Sequence, residues 1–294
     1  MYRWILPLLI FPILVCSSSV PVPEPESYPP VILKGTEVRT LTSKAVEGMK
    51  YKIWVAVPWE YSESSDTFPV VYLLDAKDLF GLNLDTYHMF RYFNDIPPLI
   101  LVGITYEGDI YDLLFNRSRD FTPTALSRDQ LAEKYGQQIA NLTPTSGGAQ
   151  DFLRFFEKEL MPFIESEYRA DPNSRGIFGY SYGGLFCTYA LFNRPELFDR
   201  YFIGSPGIYW DDFVVLEQEE VYAASHNSLP VKLYVTVGSE EDEAEIDSWE
   251  QLCDRLTSRE YKGLELSSEI LEGETHMSGV GIGYSRAYRR LYGR

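Results

Sequence analysis

The pentapeptide G-Y-S-Y-G at residues 179–183 places a serine, Ser181, in the pattern G-x-S-x-G. A short apolar run precedes it and a helix-like segment, residues 184–192, follows it, which is the context in which this pattern forms a nucleophile elbow. Without that strand and helix, the pattern would be a chance match in a glycine-rich loop. A serine on so sharp a turn has a strained backbone, and we expect Gly179 and Gly183 to remove Cβ atoms that would collide with neighbouring elements. The sequence therefore predicts that the Ser181 hydroxyl projects from a strand end as a nucleophile.

Backbone amides near Ser181 are candidates for an oxyanion hole. Tyr182 begins the helix that follows the elbow, so its amide can donate to a developing oxyanion. A second donor is expected from the loop after the apolar run 70–74, because that loop should lie beside the elbow. The backbone amide of Lys77, or of Ala76, is the candidate there.

A serine hydroxyl is a weak nucleophile at neutral pH and needs a base, for which the chain offers three histidines. Where such an elbow occurs in an α/β sheet, the chain order is serine, acid, histidine. His88 precedes Ser181, and His226 precedes the strand after which the acid is expected. His276 follows the last predicted strand, in E-G-E-T-H-M-S-G. We therefore predict that His276 is the base.

The acid that orients this base is expected after the strand 231–237, in the run G-S-E-E-D-E at residues 238–243. Most carboxylates in such a run are favourable simply because they lie at a helix N-terminus. Glu241 is the first choice for the acid, and Glu240 and Asp242 are the alternatives. The acid would fix the tautomer of the histidine and stabilise the imidazolium.

The rest of the chain alternates β-rich and helical runs. Strands are predicted at 31–42, 51–57, 70–74, 99–104, 177–178, 201–203, 231–237 and 264–271, and helices at 75–95, 150–168, 184–192, 243–259 and 282–292. This alternation predicts an α/β fold with a mostly parallel central sheet flanked by helices, in one domain over residues 31–294. Residues 106–148, after the fourth strand, are polar with little apolar periodicity, which predicts an irregular insertion that forms a lid or a substrate wall.

The net charge and the N-terminal sequence indicate which partners this protein can bind and in which cell compartment it acts. The 26 Lys and Arg residues against 43 Asp and Glu residues give a formal net charge of −17, which disfavours binding to nucleic acid or anionic lipid. Residues 1–19 have the pattern of a cleaved signal peptide, with a twelve-residue apolar core too short to cross a bilayer, and 20–30 form a proline-rich tether. We expect an exported protein. Lipid anchoring through Cys16 is the less favoured alternative.

Cofactor and metal chemistry find little support in the sequence. There is no H-E-x-x-H, no paired C-x-x-C and only three histidines, so we predict neither a metal site nor a cofactor. After signal cleavage two cysteines remain, Cys187 and Cys253, which are too few for a disulfide framework. Cys187 falls on the helix after the elbow, where a buried and inert thiol is expected.

Five ordered segments together resemble a known family. They are P-V-V-Y-L-L-D-A-K-D-L-F, N-R-S-R-D-F-T-P-T (116–124), G-Y-S-Y-G-G-L-F, V-G-S-E-E and E-T-H-M-S. The chain is similar to the esterase-D-like α/β hydrolases, and within them to the bacterial siderophore (enterobactin and salmochelin) esterases. The resemblance implies an α/β-hydrolase fold and a serine carboxylic ester hydrolase acting through an acyl-enzyme, with Ser181 as nucleophile and His276 as base. Some relatives are described as Ser-His dyads, which leaves the acid open.

The resemblance also bears on the substrate. Arg117 and Arg119 match the R-x-R-D segment of the family, where an arginine could bind an anionic or catechol-bearing acyl group of a small-molecule ester. The alternative is that these arginines pair with aspartates and only hold the loop. Ala76 stands where relatives often have glycine. Two other functions stay open at this point, an acyltransferase and a non-catalytic binding protein on the same fold.

Overall fold

The computed structural model describes residues 32–293, and eight of its strands form one sheet. The strands are β1 (Thr36–Thr42), β2 (Lys50–Ala56), β3 (Phe68–Leu73), β4 (Ile100–Tyr106), β5 (Ala170–Tyr180), β6 (Arg200–Gly204), β7 (Lys232–Gly238) and β8 (Glu265–Leu271). Their order is β1-β2-β4-β3-β5-β6-β7-β8. β1–β2 and β2–β4 are antiparallel, whereas all other neighbours are parallel. The carboxyl ends of β3 to β8 therefore lie at one edge of the sheet.

The helices lie on both faces of this sheet. They are α1 (Ala76–Tyr92), α2 (Ile110–Phe121), α3 (Arg128–Leu142), α4 (Ala149–Phe155), α5 (Met161–Glu167), α6 (Tyr182–Asn193), α7 (Trp210–Ala223), α8 (Glu243–Arg259) and α9 (Gly279–Tyr292). α1 and α9 contribute to one apolar cluster, and α2 to α8 contribute to the other. The mostly parallel α/β fold predicted from the sequence is confirmed.

Strand β3 shows why the apolar runs are continuous. Val70 and Tyr72 belong to the larger apolar cluster, whereas Val71 and Leu73 belong to the cluster under α1 and α9. Successive side chains of a strand point to opposite faces, so a strand that is covered on both sides is apolar at every position. The run 70–74 could therefore be recognised as a buried strand.

The prediction of an irregular segment at 106–148 is wrong, because α2 and α3 lie within it. Both begin with capping boxes, which Asp109 and Ser127 form with the residue three positions later. Few of their residues are buried, so the apolar stripe is narrow, and Gly136 interrupts the helical backbone of α3 with φ 84°. The two capping boxes were the sequence signals that could have identified these helices.

Other predicted helices and strands differ from the observed ones in where they begin or in their continuity. The terminal helix begins at Gly279 rather than at residue 282, and β5 begins at Ala170, well before the apolar residues of the elbow. The helix predicted at 150–168 is interrupted by a π-helical turn at Phe156–Leu160. The predicted signal peptide 1–19 and tether 20–30 lie outside the described residues. Within residues 32–293, none of the helices combines the length and hydropathy that a membrane span requires.

Candidate active site

Ser181 links β5 directly to α6 in the conformation of a nucleophile elbow. Its φ of 57° and ψ of −126° are rarely adopted by a residue with a side chain. A Cβ at Gly179 would lie 2.2 Å from the carbonyl oxygen of Gly183, so glycine is required there, as predicted. The same expectation for Gly183 is wrong, because its Cβ would meet nothing closer than 3.5 Å. The second required glycine is Gly184, whose Cβ would lie 2.7 Å from the carbonyl oxygen of Gly204.

A cavity of about 520 Å³ opens above the elbow, and Ser181, Glu241 and His276 all lie on its wall. They come from the loops after β5, β7 and β8, whose carboxyl ends share one edge of the sheet. A larger cavity of about 900 Å³ lies near the amino ends of β5 to β7, at the opposite edge, and none of these three residues lines it. The smaller cavity is therefore the candidate active site.

Glu241 and His276 are joined by a hydrogen bond. The distance from His276 Nδ1 to Glu241 Oε2 is 2.6 Å, and the Glu241 side chain is 1% exposed whereas that of His276 is 36% exposed. Glu240 and Asp242, the alternatives for the acid, are exposed on the same cavity wall. With Nδ1–H donating to the carboxylate, Nε2 of His276 is left as the acceptor for a proton.

The other oxygen of Glu241 accepts two further hydrogen bonds. Ser205 Oγ lies 2.6 Å from Glu241 Oε1, and the backbone amide of Gly238 lies 2.8 Å from the same atom. The hydroxyl of Tyr180 lies 2.8 Å from Ser205 Oγ and donates to it, because the single hydroxyl proton of Ser205 is directed to Glu241. Sequence reasoning missed Ser205. The only sequence feature that could have indicated it is its position, directly after Gly204, the glycine that ends β6.

The environment moves the pKa values of the two groups in opposite directions. Burial favours the neutral form of Glu241, but the hydrogen bonds from His276, Ser205 and Gly238 outweigh it, so the pKa of Glu241 is lowered. Burial also disfavours the charged form of His276. The hydrogen bond and negative charge of Glu241 outweigh that effect and raise the pKa of His276 above its ordinary value of 6.5. The pair therefore stabilises an imidazolium beside an ionised carboxylate.

Two helix N-termini meet beside Ser181. α6 begins at Tyr182 and α1 begins at Ala76, and a Cβ at Gly183 would lie 3.5 Å from the Asp75 carboxylate. The first backbone amides of a helix have no intrahelical partner, so those of Tyr182, Ala76 and Lys77 can donate to a ligand. Their predicted part in an oxyanion hole stays a prediction.

The predicted arginines have different surroundings. Arg117 lies on the cavity wall and binds Asp75 through two hydrogen bonds, Nε to Oδ1 at 2.7 Å and Nη2 to Oδ2 at 2.9 Å. Arg119 donates from Nε to Asp120 Oδ1 at 2.7 Å and from Nη1 to Asn116, and it does not line the cavity. The structure therefore brings only Arg117 to the site. That either arginine binds substrate stays a prediction.

The remaining histidines and the cysteines lie elsewhere. His88 stacks on Trp59, and His226 stacks on Tyr222 beside the larger cavity. Cys187 and Cys253 are free and buried, which confirms the expectation for Cys187, and burial raises the pKa of both thiols. Among residues 32–293, no group of three or more His, Cys, Asp or Glu side chains is arranged to hold a metal ion.

Comparisons with known proteins agree with this architecture. Residues 43–276 match the model of the family described as "Putative esterase". Ferri-bacillibactin esterase BesA of Bacillus subtilis is 32% identical over 266 residues, which are 87% of this chain and 89% of the relative. The siderophore enterobactin esterase of Emericella nidulans is 30% identical over 261 residues, 82% of this chain and 84% of the relative. The crystal structure of BES protein from Bacillus cereus superposes with a TM-score of 0.79 at 30% identity, covering 90% of this chain and 99% of that one.

Proposed function

The chain belongs to the esterase family that its residues 43–276 match, and we propose that it is a serine carboxylic ester hydrolase acting through an acyl-enzyme. Ser181 is the nucleophile, His276 the general base and Glu241 the acid that orients the imidazole. The backbone amides of Tyr182 and of Lys77 or Ala76 stabilise the oxyanion. The proposed substrate is a small-molecule ester, and the relatives named as siderophore esterases favour an ester of that class.

In the first half of the reaction, Ser181 Oγ attacks the ester carbonyl carbon while His276 Nε2 accepts the hydroxyl proton. The carbonyl oxygen becomes an oxyanion, which the amide donors stabilise. When the tetrahedral intermediate collapses, the bond to the alcohol oxygen breaks and His276 returns the proton to the leaving alcohol. Water then repeats the sequence on the acyl-enzyme, releasing the acid and the free serine.

One observation carries this proposal more than any other. The Nδ1 atom of His276 is hydrogen-bonded to a carboxylate that is almost fully buried, on the wall of the cavity that Ser181 also lines. A carboxylate buried at that position needs a partner that can carry positive charge, because an isolated buried charge is costly. The imidazole supplies that charge when it takes the proton of the nucleophile.

Hydrolysis of p-nitrophenyl butyrate by purified protein tests the proposal. Ser181→Ala should lower kcat/KM by about four orders of magnitude or more, since the remaining groups cannot form an acyl-enzyme. Ser166→Ala is the matched control, because its hydroxyl is exposed and donates only to the carbonyl of Phe163. Full activity of the Ser181 variant would refute the proposal.

A further inference from the structure

A buried tyrosine, Tyr180, lies behind the acid and the base. It is the last residue of β5, immediately before Ser181, and only 3% of it is exposed. Its hydroxyl lies 2.8 Å from Ser205 Oγ, and its ring centroid lies 5.3 Å from that of His276, with 65° between the two planes. Tyr180 therefore packs against the base and is hydrogen-bonded to a residue that donates to the acid.

The hydrogen bonds run in one direction, from Tyr180 towards the acid. The pKa of Glu241 is lowered, so its carboxylate is ionised and can only accept, and the single hydroxyl proton of Ser205 is directed to Glu241 Oε1 over 2.6 Å. Ser205 Oγ must therefore accept from Tyr180. Burial raises the pKa of Tyr180, and the nearby carboxylates of Glu241 and Glu245 raise it further, so the phenol stays protonated and remains a donor.

Two glycines leave room for the Tyr180 side chain. A Cβ at Gly204, the last residue of β6, would lie 2.4 Å from Tyr180 Cδ2, and a Cβ at Gly279, the first residue of α9, would lie 2.9 Å from the Tyr180 hydroxyl oxygen. A larger residue at either position would displace the ring, because a closely packed interior has no spare volume. Among the residues that the structure describes, Ser205 is the one hydrogen-bond partner of this hydroxyl.

We propose that Tyr180 is a positioning residue for the catalytic acid and acts through Ser205 on the carboxylate of Glu241. The inference rests on the proposed function and extends the hydrogen-bond chain behind the base by one residue. A bond donated to Ser205 strengthens the bond that Ser205 donates, because hydrogen bonds in a chain polarise one another. The carboxylate is then held in line with Nδ1 of His276, which keeps Nε2 free to accept the proton of the nucleophile. The competing explanation is that the Tyr180 hydroxyl only stabilises the fold.

Tyr180→Phe isolates the hydroxyl, since the phenyl ring keeps its contact with His276. We expect kcat for p-nitrophenyl butyrate to fall by about three- to tenfold while KM changes little, which is the size of effect that the loss of one neutral hydrogen bond gives. The rate constant of labelling by a fluorophosphonate should fall by a similar factor, because labelling depends on the same base.

The matched control is Tyr234→Phe. Tyr234 is a buried tyrosine of the same apolar cluster, and its hydroxyl donates to Glu269 over 2.9 Å. Neither Tyr234 nor Glu269 lines the cavity of the candidate active site. This variant also loses one hydrogen bond from a buried phenol, so it should show the structural cost of the change while keeping wild-type kcat.

A double-mutant cycle tests whether Tyr180 acts through Ser205. If the only route from the phenol to the acid is the Ser205 hydroxyl, Tyr180→Phe should lower kcat by less than twofold in the Ser205→Ala background. Independent effects would instead multiply, and the double variant would lose the product of the two single factors. Melting temperatures of all four proteins are measured alongside, because a purely structural role predicts a lower melting temperature with wild-type kcat.

Wild-type kcat for Tyr180→Phe would overturn the inference, whatever its melting temperature. Losses that multiply in the cycle would overturn it as well, since the tyrosine would then act by another route. Neither result would touch the proposed function if Ser181→Ala abolishes hydrolysis. Conversely, hydrolysis that survives Ser181→Ala refutes the proposed function itself.

Discussion

At the residue scale, the Glu241 carboxylate receives three hydrogen bonds, from His276, Ser205 and the amide of Gly238. These donors lower the pKa of Glu241, and the carboxylate in turn raises the pKa of His276. A general base must be deprotonated to act, so kcat/KM should fall as the pH drops through the raised pKa of His276. We therefore expect the acid limb of the kcat/KM profile to lie above the ordinary histidine pKa of 6.5.

Replacing Glu241 by glutamine tests this coupling. The amide keeps the shape of the side chain but removes its charge, so it no longer favours the imidazolium, and it can select the wrong tautomer. We expect kcat to fall by up to about 10⁴-fold and the acid limb of the kcat/KM profile to move to lower pH. Glu240→Gln is the matched control and should leave the acid limb in place. A Glu241→Gln variant with wild-type kcat and an unmoved limb would show that serine and histidine suffice.

Ser205 is expected to position Glu241 without touching substrate. It is fully buried, and its φ of 39° is unusual for a residue with a side chain. Ser205→Ala removes one donor from a buried carboxylate, and a hydrogen bond to a charged group contributes about 1.5–3 kcal/mol. We expect kcat to fall by about tenfold or more while KM changes little, because the carboxylate loses its alignment to His276. Steady-state kinetics measure both.

The control for Ser205 is the hydroxyl of Ser239, which accepts a hydrogen bond from the amide of Gly273 and is not hydrogen-bonded to Glu241. Ser239→Ala should retain wild-type kcat. If Ser205→Ala raises KM instead and leaves kcat intact, the hydroxyl belongs to substrate binding and the positioning role is wrong.

Ser205 also shows why part of the site escaped sequence reasoning. Ser181, His276 and the run containing Glu241 follow from the chain order of the elbow, the acid and the base. Ser205 lies near them because Tyr180 of β5 pairs with Gly204 of β6. The next residues, Ser181 and Ser205, therefore follow the ends of two neighbouring strands and lie side by side. That register between β5 and β6 is a tertiary property, and no local pattern in the sequence encodes it.

At the element scale, helix α2 is fixed to the turn after β3. Its Arg117 binds Asp75, a residue with φ 55° directly before α1, and also donates to the carbonyl of Tyr180 at the elbow. The side chains of Arg117 and Asp75 are 21% and 10% exposed. This pair therefore connects the loop that is proposed to supply oxyanion donors to a helix that lines the cavity.

Arg117→Ala should destabilise the protein by about 3 kcal/mol, because it leaves the largely buried Asp75 carboxylate without its partner. Arg128→Ala is the control, since Arg128 is exposed and bonds only Asn141, and its cost should stay within about 0.5 kcal/mol. Urea denaturation measures both free energies of unfolding. We further expect Arg117→Ala to lower kcat/KM equally for neutral and anionic esters. A selective loss on anionic esters would instead support the sequence-based prediction that Arg117 binds an anionic acyl group.

The elements themselves were predictable to different degrees. Buried strands such as β3 and β4 are apolar at most positions, so they are conspicuous in the sequence. α2 and α3 bury only a few residues each, and about half of their positions are polar. Their helical backbone is stabilised by caps and by contacts such as Arg117 with Asp75, rather than by a broad apolar face. Because few of their residues are buried, these two helices are harder to recognise from the sequence than helices with a broad buried face.

At the scale of the whole molecule, the predicted export depends on residues 1–19, which lie outside the described structure. If this segment is a signal peptide, a host that secretes the protein should yield a mature chain that has lost about these first residues. Intact mass spectrometry of the secreted protein measures the new N-terminus. Leu8→Arg, which breaks the apolar core of the segment, should abolish secretion. A lipid on Cys16 would support the anchored alternative, and a secreted chain beginning at Met1 would contradict both.

The central claim is that Ser181 forms a covalent acyl-enzyme, and labelling by a fluorophosphonate probe with tryptic peptide mapping tests it most directly. The tryptic peptide 176–200 contains Ser181 as its only serine, so the adduct can be assigned without ambiguity. We predict one adduct per chain, on this peptide, which is absent in Ser181→Ala and slowed in Glu241→Gln. An adduct on another peptide, or labelling that persists in Ser181→Ala, would contradict the account.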